Sequence, residues 1–273
     1  MCRERSQPFY AYDIAEADDI NILVRHAAEA AAADGGILAA AGGDGTVRIV
    51  AHEARKLDVR IAVIPCGTFN LFARNHAIPE EPEAAIKLAF EGSAQQVRVA
   101  TLNGETFVLN ASLGLYAKAI RERKTHTKRF GRHRIVAILS TLYTLIKGHA
   151  TMKLNISVDG QEQRVRTTMV FIGNNALQLR DLSMDVANCM RKNLLAVVTL
   201  KDMSGWKMFR FAFHGISKQL EKLNELESFC VQNLDIHSEK HKIEVALDGE
   251  MFQMRFPLKI EAAPRGLHLI KAP

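Results

Sequence analysis

Hydrophobic positions along the first third of the chain change period several times, and each change predicts an element. "PFYAYDI" (residues 8–14) alternates and predicts a short strand, while "EADDINILVRHAAEAAAADG" (16–35) carries apolar residues at helical spacing and stops at Gly35 and Gly36. "GILAAA" (36–41) is a continuous small apolar run, the mark of a buried strand. A second such strand, "VRIAVIP" (59–65), follows a helix that begins near Thr46. The order strand, helix, strand implies a parallel sheet with covering helices and a ligand at the carboxyl ends of the strands. After about residue 97 the pattern becomes two-residue alternation. Leu154, Ile156 and Val158 lead into Asp159-Gly160, and "HKIEVALDGEMFQMRFPLKIEA" (241–262) repeats the design around Asp248-Gly249, so two hairpins are expected. Between them "LLAVVTL" (194–200) reads as a strand and "GWKMFRFAFHGISKQLEKLNELESF" (205–229) as an amphipathic helix. An α/β first domain is thus followed by a mainly antiparallel second one.

With 273 residues, 48% apolar and 24% charged, the composition is globular and supports a sizeable core. The longest mainly apolar stretch, "IVAILSTLYTLI" (135–146), is too short to span a bilayer, and no signal-peptide pattern opens the chain, so a cytoplasmic protein is expected. Cys2, Cys66, Cys189 and Cys230 show no paired spacing, which predicts reduced structural thiols rather than a disulfide framework or zinc site. The net charge of +6 is concentrated: residues 117–134 hold eight Lys/Arg against Glu122, leaving the remainder near −1. Such a segment either forms a solvated basic face or meets a phosphate-rich surface. It lacks interleaved aromatics apart from Phe130, so no nucleic acid is expected as a partner.

Candidate chemistry lies at the strand ends. "AAAGGDGTVRIVAH" (39–52) lacks the Gly-Lys-Ser/Thr of a P-loop and the third glycine of a dinucleotide fingerprint, yet glycine at Gly42, Gly43 and Gly45 lets a ligand approach the backbone closely. A second turn, "IPCGTFNLFARNHAIP" (64–79), again offers glycine, hydroxyl and amide groups at Gly67, Thr68 and Asn70. Either turn alone is ordinary turn chemistry; together they favour a polyphosphate held without lysine.

This pair of turns, with "NASLGLYAKAI", "FIGNNALQL", "LDGE" and the closing "PRGLHLIKAP", resembles the diacylglycerol kinase catalytic domain family of bacterial lipid kinases, sphingosine kinases and ceramide kinases. The resemblance implies an ATP-binding α/β domain (1–97, completed by 262–273) and a β-sandwich acceptor domain (98–261), with the active site in the cleft between them. It implies ATP held by Gly42, Gly43, Asp44, Gly45, Thr46, Gly67, Thr68 and Asn70. Asp248 is the implied general base, Glu250 a magnesium ligand, and Asp44 a residue facing the metal (Mg) or the acceptor hydroxyl. These types suit phosphoryl transfer, which needs charge neutralisation and a carboxylate near the attacking hydroxyl. The expected substrate is a diacylglycerol-like lipid. An anionic membrane surface at the inner face of the membrane is the expected contact of Arg121, Arg123, Lys124, Lys128 and Arg129; a homodimer is one candidate oligomeric state.

Three departures stand beside the match. No Asn-Pro-x-Ser-Gly strand precedes "QPFYAYDI"; Arg191, Lys192 and Asn193 replace an acidic residue and glycine; and Arg48-Ile49 replaces Asn-Glu after the first turn. They admit a second reading, a non-catalytic nucleotide- or lipid-binding relative; an NAD kinase is a third, which the form of the second turn disfavours. "HSEKH" (237–241) reads as a turn rather than a metal site, and Cys66 as a packing residue.

Overall fold

The structure, a computed structural model, describes residues 8–118, 120–121, 151–158, 160–177, 185–201 and 226–273. The chain divides into two compact units, Met1–Val99 with Ala263–Pro273, and Ala100–Ala262.

In the first unit α1 (Ile20–Ala33) starts where the Asp19 carboxylate accepts the Asn21 N–H at 2.8 Å, and it buries Val24, Ala27 and Ala28, one helical stripe. It stops at Gly35, whose φ of 61° favours glycine. β1 (Ile37–Gly42) and β2 (Arg60–Pro65) pair in parallel from Ile37↔Arg60 to Gly42↔Pro65. The helix joining them, α2 (Asp44–Lys56), turns Val47, Val50, Ala51 and Ala54 inward; its one buried carboxylate, Glu53, is tied to Lys56 at 3.1 Å. α3 (Leu71–Asn75) and α4 (Pro82–Glu91) follow, and β3 (Ser93–Leu102) leads out of the unit. The end of the C-terminal strand adds to the parallel sheet beside β2, with Leu269 opposite Ile61.

"PFYAYDI" does not form a strand. Residues 8–13 are irregular and exposed, Phe9 and Tyr10 outward, and Asp13 caps a 3-10 turn over Ile14–Glu16. An alternating pattern becomes a strand only where a neighbour takes its backbone hydrogen bonds, and among the described residues β1 pairs only with β2.

Strand neighbours in the second unit run antiparallel among the described residues. After the short β4 (Glu105–Phe107) come β5 (Asn110–Gly114), β6 (Met152–Val158), β7 (Gln161–Gly173), β8 (Leu195–Lys201), β9 (Leu226–Val231), β10 (Asn233–His237), β11 (Lys242–Leu247), β12 (Glu250–Arg255) and β13 (Leu258–Lys271). β10, β6, β7, β5, β11 and β12 are neighbours in that order, and β8 joins β7 to β9. Alternation directs one face inward: Met152, Leu154 and Ile156 of β6 meet Phe107, Leu113, Ile172, Leu195 and Leu234 in one core. Both expected hairpins form, with Val158↔Gln161 and Leu247↔Glu250 closing two-residue loops.

Two further expectations change here. Cys189 and Cys230 form a disulfide with their Cα atoms 5.4 Å apart, correcting the reading of unpaired thiols. The 3-10 helix Asp185–Lys192 packs its Cys189 with Ala196 and Val198 of β8, while β9 sets Cys230 opposite Ala196; a separation of 41 residues concealed that meeting. The amphipathic helix expected over 205–229 ends as strand, since Leu226–Val231 is β9; the rest of that stretch, and the apolar run 135–146, lie outside the described residues. "HSEKH" is the turn between β10 and β11.

Candidate functional site

In the first unit the two glycine turns leave the carboxyl ends of the paired strands β1 and β2 and pack backbone to backbone. The Cys66 N–H donates to the Gly42 carbonyl at 3.0 Å. A Cβ on Gly67 would stand 2.5 Å from the Gly43 Cα and 2.8 Å from Asn70 Oδ1, so only glycine allows this approach. Asn70 holds the second turn from within: at φ 48° its Oδ1 accepts the Gly67 N–H at 2.9 Å and its Nδ2 donates to the Gly67 carbonyl at 3.0 Å. Asp44 binds one turn to the other, accepting the Leu71 N–H at 3.1 Å and the Phe72 N–H at 2.9 Å.

No side chain caps α2, whose first intrahelical bond runs from Val47 N–H to the Gly43 carbonyl at 3.1 Å. Its leading amides therefore present the positive end of the helix beside Gly43 and Gly67, an arrangement suited to an anion. Gly42, Gly43, Asp44, Gly45 and Thr46 lie in one turn, Gly67, exposed Thr68 and Asn70 in the other. Cys66 between them is an exposed thiol.

His76 ends α3 against the Phe72 ring, with centroids 4.5 Å apart. Burial, and then the charges of Lys271 and Arg98, push its pKa down to about 4; burial also lowers Arg98 to about 10. The unfolded chain therefore takes a proton on this histidine below about pH 6.5 while the folded chain resists until about 4. Stability should fall as the pH drops through that window, by about 2 kcal/mol between pH 7.5 and 5. Urea unfolding at the two pH values checks this: His76→Gln should lose that much less than wild type, and equal losses would remove His76 as the cause.

In the second unit the β11–β12 turn carries the acidic pair. Asp248 and Gly249 both have positive φ (48° and 85°), as a type I′ hairpin requires. The Asp248 carboxylate accepts three consecutive backbone amides, Val108 at 2.7 Å and Leu109 and Asn110 at 2.8 Å each, and its own N–H donates to the Asn110 carbonyl at 2.9 Å. Glu250 opens β12, half-buried and opposite Leu247.

The same segment is gripped from just after β7 by a residue of "FIGNNALQL" to which the sequence reading assigned no role. Asn174, 3% exposed, donates its backbone N–H to the Leu109 carbonyl at 2.8 Å and its Nδ2 to the Val108 carbonyl at 3.2 Å. "LNAS", "IGNN" and "LDGE" thus converge on three residues. The signal available in sequence was an asparagine closing each of two apolar runs.

Of the basic residues, Arg121 is described and pairs with Glu244, both side chains about half exposed, so the pair adds little stability. Arg123, Lys124, Lys128 and Arg129 lie outside the described residues. A cavity of about 460 Å³ in this unit is lined by apolar Leu115, Met152 and Ile243 and by charged Lys118, Arg121 and Glu244. Among the described residues no three His, Cys, Asp or Glu side chains cluster to hold a metal, and no helix is long and apolar enough to cross a membrane.

Residues 1–102 match the model of the diacylglycerol kinase catalytic domain. A Cronobacter sakazakii protein named "Probable lipid kinase YegS-like" is 35% identical over 100 residues, covering 35% of this chain and 33% of the relative. A Pseudomonas aeruginosa protein of the same name is 39% identical over 92 residues, covering 33% and 30%. The chain spans about a third of the length of the curated relatives it matches. The solved structure of a diacylglycerol kinase from Bacillus anthracis str. Sterne shares the fold with a TM-score of 0.65 at 22% identity, covering 91% of this chain and 83% of that one.

Proposed function

We propose that the chain is a lipid kinase that transfers the γ-phosphate of ATP to the hydroxyl of a diacylglycerol-like lipid. The observation that carries this reading is the backbone contact of Gly43 with Gly67 beside the uncapped start of α2, a cradle into which phosphate oxygens fit and side chains do not. Asp44 and Asn70 hold that cradle in shape, and the turn bearing Asp248 and Glu250 supplies carboxylates on the acceptor side. Magnesium is ordinarily bound by one or two carboxylates together with substrate phosphates, a demand that Asp44 of the first unit or Glu250 of the second would each suit by residue type. When bound, it would neutralise charge on the phosphate oxygens. The apolar-floored cavity beside Arg121 gives the second unit room for part of an acyl chain.

The test is transfer of labelled γ-phosphate, with magnesium, into mixed micelles of diacylglycerol, phosphatidylglycerol, ceramide or sphingosine, with NAD as a parallel acceptor. A labelled lipid is expected. One observation favours the second reading, a binding protein without turnover: the carboxylates of Asp44 and Asp248 are both engaged with backbone amides. ATP binding without transfer to any acceptor would select it, and label in NAD would select the third.

The reading also places the protein peripherally on an anionic membrane. Replacing Arg121, Arg123, Lys124, Lys128 and Arg129 by glutamine should weaken binding to phosphatidylglycerol vesicles by at least about a hundredfold, since each basic residue near such a surface contributes roughly 1 kcal/mol. Co-sedimentation at low salt measures it, and unchanged binding would end the membrane role of this segment.

A further inference from the structure

We infer that Asp248 is a positioning residue: its carboxylate shapes the Val108–Asn110 segment, and the proton of the acceptor hydroxyl goes to another group. The inference rests on the kinase reading above and assigns a role within that site.

A carboxylate offers about four lone-pair sites, and three here receive amide donors at 2.7, 2.8 and 2.8 Å. Consecutive amides aimed at one anion form a nest, and bonds to an ionised acceptor are roughly twice as strong as neutral ones. A general base needs a lone pair directed at the hydroxyl it deprotonates, and three of the roughly four here are directed at backbone. The inventory of the segment makes the same point. The three N–H groups of Val108, Leu109 and Asn110 go to the Asp248 carboxylate, and the Asn110 carbonyl receives the Asp248 N–H. The carbonyls of Val108 and Leu109 receive Asn174. Two residues, on β11–β12 and after β7, thus satisfy every backbone polar group of the three. The positive φ of Asp248 holds the carboxylate in that direction, since the turn that fixes the hairpin also fixes the side chain's origin.

Asp248→Asn keeps the shape but sets a donor against at least one of the amides. Hydrogen exchange at Val108, Leu109 and Asn110 should accelerate by about a hundredfold (about 2.7 kcal/mol), while the other amides of β11 hold. Turnover should fall yet remain measurable, with the acidic limb of the pH–rate profile at its wild-type position. A limb abolished in Asp248→Asn, with exchange at 108–110 unchanged, would overturn the inference and make Asp248 the base. Asn174→Ala loosens the segment from the other side without touching the carboxylate and serves if Asp248→Asn does not fold. It should lower turnover with the limb unmoved, and wild-type turnover would again overturn the inference. If wild type transfers no phosphate, the kinase reading fails separately; the exchange arm still decides the clamp, and unchanged exchange in both variants sinks it.

Discussion

Gly67→Ala should abolish detectable ATP binding and lower stability by about 2–3 kcal/mol. The added methyl would lie 2.5 Å from the Gly43 Cα and 2.8 Å from Asn70 Oδ1, distances that neither atom can relieve alone. Gly43 is pinned as the cap of α2, and Asn70 is held to Gly67 by two hydrogen bonds, so the turns must separate. Separation removes the surface on which the phosphates are proposed to sit. Even about 1.4 kcal/mol of lost contact weakens binding tenfold. The control is Gly36→Ala, where the methyl would meet only the Ala31 carbonyl oxygen at 3.6 Å and Cα at 3.8 Å, ordinary contacts. That variant should bind ATP like wild type. Calorimetric titration with denaturant unfolding distinguishes the two, and wild-type ATP affinity in Gly67→Ala would remove the paired turns as the nucleotide seat.

What could be read from the sequence is what local pattern determines. β1, α2 and β2 were legible because a continuous apolar run, a glycine turn and a helical period follow one another without interruption. The β6–β7 and β11–β12 hairpins were legible because Asp-Gly between two alternating apolar runs is a favoured pair for a two-residue hairpin loop. Pairing with distant residues was not. "PFYAYDI" carries a strand's alternation and pairs with no strand among the described residues; Cys189 and Cys230 carry no spacing signal because the β8–β9 pairing brings them together. The candidate site divides the same way. Residue types at Gly42 to Thr46 and Gly67 to Asn70 suggested a phosphate cradle, whereas the directions of the Asp44, Asn70 and Asp248 side chains are tertiary facts. An Asp-Gly pair predicts the turn and leaves open that its carboxylate reaches back to residues 108–110.

Those directions share a physical logic. Three polar side chains of the glycine-rich motifs reach backbone amides: Asn70 one, Asp44 two, Asp248 three. A turn made of glycine loses much conformational entropy on ordering and has few side-chain contacts to offset it, so a carboxylate or amide bonded to the backbone supplies the rigidity instead. Motif residues of this kind are needed even where they never touch a ligand.

Asp44 is where that logic gives the second large effect. Asp44→Ala should cost about 3–4 kcal/mol, because charge-assisted hydrogen bonds contribute roughly 1.5–3 kcal/mol each and two backbone donors at the start of α3 lose their acceptor. The helix has only five residues and depends on that anchor, so amide exchange at Leu71 and Phe72 should rise far above that of α2. ATP binding should weaken with it, since the Asn70 turn directly precedes α3. Asp44→Asn separates architecture from chemistry. It retains an oxygen for one of the two amides, so it should recover part of the stability and ATP affinity, while phosphoryl transfer stays at the level of Asp44→Ala if the carboxylate also serves the metal or acceptor. Recovery of transfer in parallel with stability would assign Asp44 to architecture alone.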